Sequence, residues 1–177
     1  MSPGKTPARL RPEEAAGLRD LLASEEREYR RLRRLAWRQT AYLKRRDAPR
    51  LERNAQEWRN FLPLADAARR RREAALQAIG ARLELSAGPL TTESLLTRAD
   101  DGQRATLRGA VRRLTDTAAD LYRQNGLNVM LARFCLELVE QEAAIFRQCV
   151  MDDPAGCYEG DGQRSTTGGS CIVQRRA

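Results

Sequence analysis

The chain has 177 residues, with 32 Lys plus Arg, 24 Asp plus Glu, four cysteines and no histidine. The absence of histidine excludes His-ligated metal and haem sites, and also Ser-His-Asp and Cys-His catalytic units. With 41% hydrophobic and 32% charged residues, the chain has little material for a core, which favours an elongated helical shape over a compact one. We expect no enzyme, no metal site and no cofactor.

Residues 1–11 contain Pro3, Pro7 and several charges, and they lack the apolar segment of a signal peptide. We expect them to be flexible. No window of the sequence approaches the roughly 18 apolar residues that a membrane-spanning helix requires. The sequence therefore predicts a cytoplasmic protein without membrane insertion, in which the cysteines remain thiols.

The first helix is predicted to begin at Pro12 or Glu13, because proline suits the first turn and an acidic residue suits the positive end of the helix dipole. Apolar residues then recur at spacings of three and four until about Arg46. The segment Asp47-Ala48-Pro49 interrupts this pattern and predicts a tight reversal. Two antiparallel helices result, and Trp37 is expected to pack in their core.

The second helix repeats the apolar spacing and should end at residues 86–89. Pro63 falls inside it and is expected to kink or divide the helix, because an interior proline removes a backbone donor. Trp58 is expected in the core. A run of four arginines, residues 69–72, could contact phosphate or RNA, but consecutive residues point around most of a helix and do not form one basic face.

Charge is unevenly distributed, with a net +10 over residues 1–82 and −2 over residues 83–177. This asymmetry is compatible with a nucleic acid or an acidic partner. The simpler interpretation is a solvated helical face, because acidic residues are interleaved through the first half.

A short helix capped by Thr91 or Thr92 is predicted from Glu93 to Thr97. The longest helix should follow, from about Asp101 to Met151, because its residues alternate at spacings of four and three in one continuous seam. The predicted seam positions are Leu107, Val111, Leu114, Ala118, Leu121, Asn125, Asn128, Ala132, Cys135, Val139, Glu142, Phe146 and Cys149.

Residues 153–177 contain five glycines and only scattered apolar residues, too few to offset the entropy of ordering. We expect a disordered or fold-on-binding tail. The sequence thus predicts an all-α fold: an elongated antiparallel helical bundle or coiled coil of about three long helices, spanning residues 12–152, with a flexible C-terminal tail.

Asn125 and Asn128 occupy consecutive seam positions, where an amide must find a hydrogen-bond partner. Either they set the register inside an intramolecular bundle, or they face a groove that a helix of another protein fills. Downstream, apolar residues cover more than one stripe of the helix, which gives more apolar surface than two neighbouring helices need. A third core helix would absorb that surface equally well, and a homodimer also remains open because the same seam could close between two chains. These downstream residues are Leu131, Phe134, Leu138, Val139, Ile145 and Phe146.

Two long helices with a tight reversal precede a last helix that carries Asn125-Gly126-Leu127-Asn128 ahead of an apolar stretch. The tail then opens with Tyr158-Glu159-Gly160-Asp161-Gly162. Over nearly the whole chain this combination resembles the FlgN family of flagellar export chaperones. Its most specific elements are the asparagine pair and the tyrosine and glycine element.

The resemblance implies a cytoplasmic chaperone that binds hook-associated proteins of the FlgK and FlgL type, prevents their premature polymerisation and delivers them to the flagellar type III export gate. It assigns the paired asparagines to the region that binds the substrate protein, and Tyr158 to docking at the gate. An alternative remains, a basic coiled-coil protein that binds nucleic acid or acts as a scaffold, although nucleic acid is the less favoured partner. The predicted substrate-protein site comprises Asn125, Asn128, Leu131, Phe134, Leu138 and Ile145.

Overall fold

The computed structural model describes residues 8–85 and 90–151, with side chains as far as Gln148. Four helices occupy these ranges: α1 (Pro12–Lys44), α2 (Ala48–Arg82), α3 (Thr92–Leu96) and α4 (Asp101–Met151). All regular secondary structure in the described ranges is helical, which confirms the all-α prediction. The chain divides into two units, Met1–Leu131 and Ala132–Ala177.

The reversal between α1 and α2 is a Schellman motif formed without glycine. Arg46 adopts a φ of 51°, and its N–H donates to the Leu43 carbonyl at 3.1 Å, while the Asp47 N–H donates to the Tyr42 carbonyl at 3.0 Å. These two bonds satisfy carbonyls that the last turn of α1 leaves open. Asp47 then caps α2, because its carboxylate accepts the N–H of Arg50 at 3.1 Å. The predicted tight reversal is confirmed.

Pro63 does not divide the second helix, because α2 is one helix from Ala48 to Arg82. Its C-terminus repeats the Schellman arrangement, with Glu84 at a φ of 51°. The Glu84 N–H donates to the Ala81 carbonyl at 3.2 Å, and the Leu85 N–H donates to the Gly80 carbonyl at 3.1 Å. The short helix α3 begins after Thr91, whose hydroxyl accepts the Ser94 N–H, as predicted.

Contacts between the helices fix their directions in the first unit. Along α1, partners in α2 run backwards, from Glu14 with Arg82 to Arg38 with Glu57, so these two helices are antiparallel. Partners in α4 run forwards, with Arg33 paired to Asp120 and Thr40 bonded to Asn128. The first unit is therefore an up-down-up bundle of α1, α2 and α4.

Two apolar clusters lie between these helices. The larger one gathers the start of α1, the end of α2, α3 and the start of α4, and it centres on leucines such as Leu18, Leu95 and Leu107, each at most 1% exposed. The smaller one contains Leu32, Leu35 and Ala65, with partly buried aromatic residues around them. Apolar burial of this kind contributes about 1.5 to 3 kcal/mol per large side chain.

A buried ion pair lies between α1 and α2. Glu25 is 2% exposed, and its carboxylate accepts the Nε–H of Arg72 at 2.5 Å. Burial, followed by the charge of Glu25 and a hydrogen bond to it, raises the pKa of Tyr29 above 10.0. The tyrosine therefore stays neutral beside the carboxylate at physiological pH.

Within the first unit, the buried line of residues on α4 has the predicted period but shares only about half of its positions with the predicted seam. Leu107, Leu114 and Asn128 are buried as expected, and Leu121 is half-buried against the smaller cluster. At the alternate positions, Ala110, Thr117 and Gln124 are buried, whereas the predicted Ala118 and Asn125 are only half-buried. The predicted Val111 is half-buried against the larger cluster. The sequence analysis missed the true line because two of its members are polar, so the apolar spacing pointed to the neighbouring residue.

Of the two tryptophans expected in the core, one packs against a core cluster and the other is exposed. Trp58 packs against the smaller cluster and is half-buried. Trp37 is 61% exposed, so the prediction that it lies in the core is wrong. Trp37 lies one position beyond the buried Ala36, and a rotation of about 100° per residue carries it onto the outer surface of α1.

Candidate partner-binding surface of α4

The α1–α4 interface ends in a layer of polar side chains rather than leucines. Asn128 is 3% exposed, and its Nδ2 donates to the Ala36 carbonyl at 2.8 Å and to Gln39 Oε1 at 3.0 Å. Its Oδ1 accepts the Thr40 hydroxyl at 2.6 Å. Gln124 donates from Nε2 to the same hydroxyl oxygen at 2.6 Å. Both polar atoms of the Asn128 amide thus have partners inside the first unit.

The two predicted asparagines have different environments. Asn128 is enclosed by the polar layer, as the interpretation of register control within one bundle requires. Asn125 is half-buried, and its amide has no hydrogen bond to any residue that the structure describes. Gln39, Thr40 and Gln124 were not among the predicted site residues. The signal that could have found them is that polar residues occur at the same height on two neighbouring predicted helices.

Before its end at Leu131, the first unit already exposes apolar side chains of α4. Leu127 is 49% exposed, Val129 50% and Met130 68%. Leu131, a predicted site residue, is half-buried. A helix whose apolar residues remain exposed on several sides at once has more apolar surface than its bundle covers.

In the second unit, α4 continues through residues 132–148, here called the C-terminal α4 segment. Phe134 and Ile145, both predicted site residues, are 61% and 59% exposed, and Leu138 is half-buried. Every described side chain from Val139 to Gln148 is exposed. The exposed large apolar side chains of this segment are Phe134, Leu136, Val139, Ile145 and Phe146.

Helical geometry places most charged residues of the C-terminal α4 segment on one side, although Glu142 falls among the apolar residues. At about 100° per residue, its charged side chains other than Glu142 fall within an arc of about 80°. The large apolar side chains spread over about 200° on the other side. Such breadth exceeds the narrow stripe that one neighbouring helix covers, so the segment offers apolar contact area to a helical partner. The residues of the charged arc are Arg133, Glu137, Glu140 and Arg147.

The four-arginine run is engaged within the first unit and does not form a free basic patch. Arg69 pairs with Asp66 at 2.7 Å and with Glu73 at 2.9 Å, and Arg70 pairs with Asp66 at 2.7 Å. Arg71 donates to a carbonyl of its own helix, and Arg72 holds the buried Glu25. The arrangement explains the run by helix packing and by ion pairs along α2.

Other kinds of site find no support in the ranges that the structure describes. Among those residues, no group of three or more Cys, Asp or Glu is placed to hold a metal ion. No helix within the same residues is both long and apolar enough to cross a membrane. Cys135 is half-buried. Tyr158 and the remainder of the predicted tail lie outside the described residues.

Comparison with protein families identifies the chain. The sequence profile of one family, described as FlgN protein, matches residues 14–166, which is most of the chain. The chain belongs to the FlgN family. Neither the curated proteins nor the solved structures give a match.

FlgN-family proteins are flagellar export chaperones, so the role of this FlgN-family chain is that of a chaperone in flagellar assembly. A chaperone binds flagellar proteins through surface contacts. The exposed apolar side chains of α4 are of the kind that such contacts require. The family profile extends beyond Met151 and therefore includes Tyr158.

Proposed function

We propose that this FlgN-family protein is a cytoplasmic type III export chaperone for hook-associated proteins of the FlgK and FlgL type. It binds their terminal helices, which prevents premature polymerisation, and it delivers them to the flagellar export gate. The observation that carries this proposal is the row of exposed apolar side chains along the C-terminal α4 segment.

The cargo contact uses the apolar side chains of α4, with Phe134, Leu138 and Ile145 at its centre. These three residues follow one another at spacings of four and seven, so they fall on the same side of the helix. An amphipathic helix of the cargo that lies along this side would bury its own apolar stripe, which it otherwise uses for self-assembly. Leu131, the last residue of the first unit, is a further predicted contact for the cargo.

The asparagines take different parts in this proposal. Asn125 has an amide without a described partner and contacts the cargo directly. Asn128 is committed to Ala36, Gln39 and Thr40, so it contributes by holding α4 in register beside α1. Tyr158 contacts the export gate, and a chain that ends at Met151 should bind cargo but fail in delivery.

Size-exclusion chromatography with light scattering tests the proposal. The full-length protein is mixed with hook-associated proteins of the same genome at 50 mM and 500 mM salt. Apolar contacts predict a complex that persists at high salt, whereas binding to nucleic acid would weaken steeply. Phe134→Gln, Leu138→Gln and Ile145→Gln together should weaken the cargo complex by at least about a hundredfold, since three apolar contacts are removed.

A control on α2 replaces two exposed apolar residues of the first unit, Leu62→Gln and Leu64→Gln, at 55% and 46% exposure. This variant should bind cargo within about twofold of the wild type. Equal loss in both variants, or no complex with any hook-associated protein, would overturn the proposed function.

A further inference from the structure

The second half of α1 carries a basic outer face along its whole length. Residues 27–46 contain nine Lys or Arg and one acidic residue, Glu28, so this stretch carries a net charge of +8. The carboxylate of Glu28 pairs with Arg31 at 3.0 Å. Eight exposed side chains lie within an arc of about 120° and form one outward face, the α1 outer face. They are Arg27, Arg30, Arg34, Trp37, Arg38, Ala41, Lys44 and Arg45.

Few acidic groups neutralise this face. Arg30 pairs with Glu26 at 2.6 Å, and Arg38 pairs with Glu57 at 3.0 Å. In the part of the chain that the structure describes, no acidic side chain pairs with the remaining four cations of the face. Those cations are Arg27, Arg34, Lys44 and Arg45.

Trp37 lies in the middle of this basic face and is 61% exposed. A buried tryptophan would stabilise the bundle, so an exposed one surrounded by cations is unexplained by the fold. Its ring is apolar and its indole N–H is a donor, a combination suited to the boundary between lipid headgroups and acyl chains. Arginine and lysine stems can lie along such a boundary while their charges remain in water.

We propose that the α1 outer face binds a membrane surface that contains anionic phospholipid, with Trp37 entering the headgroup region. Over residues 27–45 the face is about 27 Å long and follows the single helix α1 and its C-cap, so its cations can meet a planar surface together. The opposite side of α1 is packed in the bundle, which limits penetration to the outer side chains. Proteins that bind single-stranded nucleic acid use grooves with several stacking aromatic residues, and this convex face has one.

Vesicle flotation provides the test. The full-length protein should bind vesicles of phosphatidylcholine with one third phosphatidylglycerol at low salt, and it should not bind phosphatidylcholine alone. Arg34→Gln, Lys44→Gln and Arg45→Gln together should weaken binding by about a hundredfold, since each basic residue contributes several-fold near an anionic surface. The matched control, Arg108→Gln, Arg112→Gln and Arg123→Gln, removes the same charge from exposed positions of α4 and should change binding less than threefold.

Tryptophan emission places the contact. Anionic vesicles should shift the emission to shorter wavelength, and Trp37→Phe should abolish that shift because Trp58 is half-buried against the core. Three results would overturn the proposal: no binding to anionic vesicles, equal loss in the α4 control, or a shift that persists in Trp37→Phe. Binding of a single-stranded oligonucleotide in place of vesicles would assign the face to nucleic acid instead.

Discussion

Replacing Asn128 with alanine tests whether the polar layer holds α4 in register beside α1. The side chain makes three hydrogen bonds, at 2.8, 3.0 and 2.6 Å, while only 3% of the residue is exposed. A net contribution of about 1 kcal/mol per bond gives a loss of about 2 to 3 kcal/mol. The loss should not include the full penalty for leaving buried polar partners without hydrogen bonds. The Thr40 hydroxyl keeps its hydrogen bonds with Gln124 and with the Ala36 carbonyl.

Urea and thermal unfolding followed by circular dichroism measure this loss. For a chain of this length it corresponds to a fall in Tm of about 4 to 12 °C. Asn125→Ala is the matched control: this amide has no described partner, and alanine is the better helix former, so the free energy of unfolding should change by less than about 0.7 kcal/mol. If the two variants unfold together, Asn128 does not hold the register and the reasoning fails.

Three further predictions concern the bundle. Arg72→Met leaves the buried Glu25 carboxylate without its cation and should lower the free energy of urea unfolding by about 3 to 5 kcal/mol. The double variant Arg72→Met with Glu25→Leu should lie within about 1 kcal/mol of wild type. Equal losses in the two variants would exclude an energetic coupling between Arg72 and Glu25. Gly126→Ala should raise that free energy by about 1 kcal/mol, because no atom lies within 4 Å of the added Cβ, and a decrease would contradict this. Burial opposes ionisation of Glu14, but the hydrogen bond and charge of Arg82 outweigh it and lower the pKa below 4.5. This carboxylate therefore stabilises the fold above pH 4.5 and loses that contribution as pH falls through its lowered pKa, so Tm measured against pH should vary less in Glu14→Gln.

The helices could be predicted from the sequence because their boundaries carry local signals. Pro12 marks the start of α1, Asp47 the reversal and Asp101 the start of α4, and the structure has helix boundaries at each. The geometry at the C-terminal ends of α1 and α2 was less predictable. Arg46 and Glu84 adopt the left-handed backbone conformation that glycine usually occupies at a helix end. Pro63 does not divide α2, so of the two expected effects only a kink stays a prediction.

The candidate site was predictable in part. Excess apolar width downstream of Leu131 was visible in the sequence, and Phe134 and Ile145 are indeed exposed. The buried line of α4 could not be predicted, because two of its residues, Thr117 and Gln124, are polar. They become buried only through partners on α1 or through packing. Tertiary contacts of this kind leave no periodic signal in the sequence of one helix.

The side chains packed between the helices change from leucines at one end of the first unit to amides at the other. Its local stability should therefore differ between the two ends. The larger cluster, around Leu18 and Leu107, buries much apolar surface, whereas the level of Thr40 and Asn128 relies on side-chain hydrogen bonds worth about 1 kcal/mol each. Backbone amides of α4 near Asn128 should therefore exchange with solvent through local opening, long before those near Leu107. The bundle would open from one end, so a partner helix could displace α1 from this part of α4 while the leucine cluster stays folded.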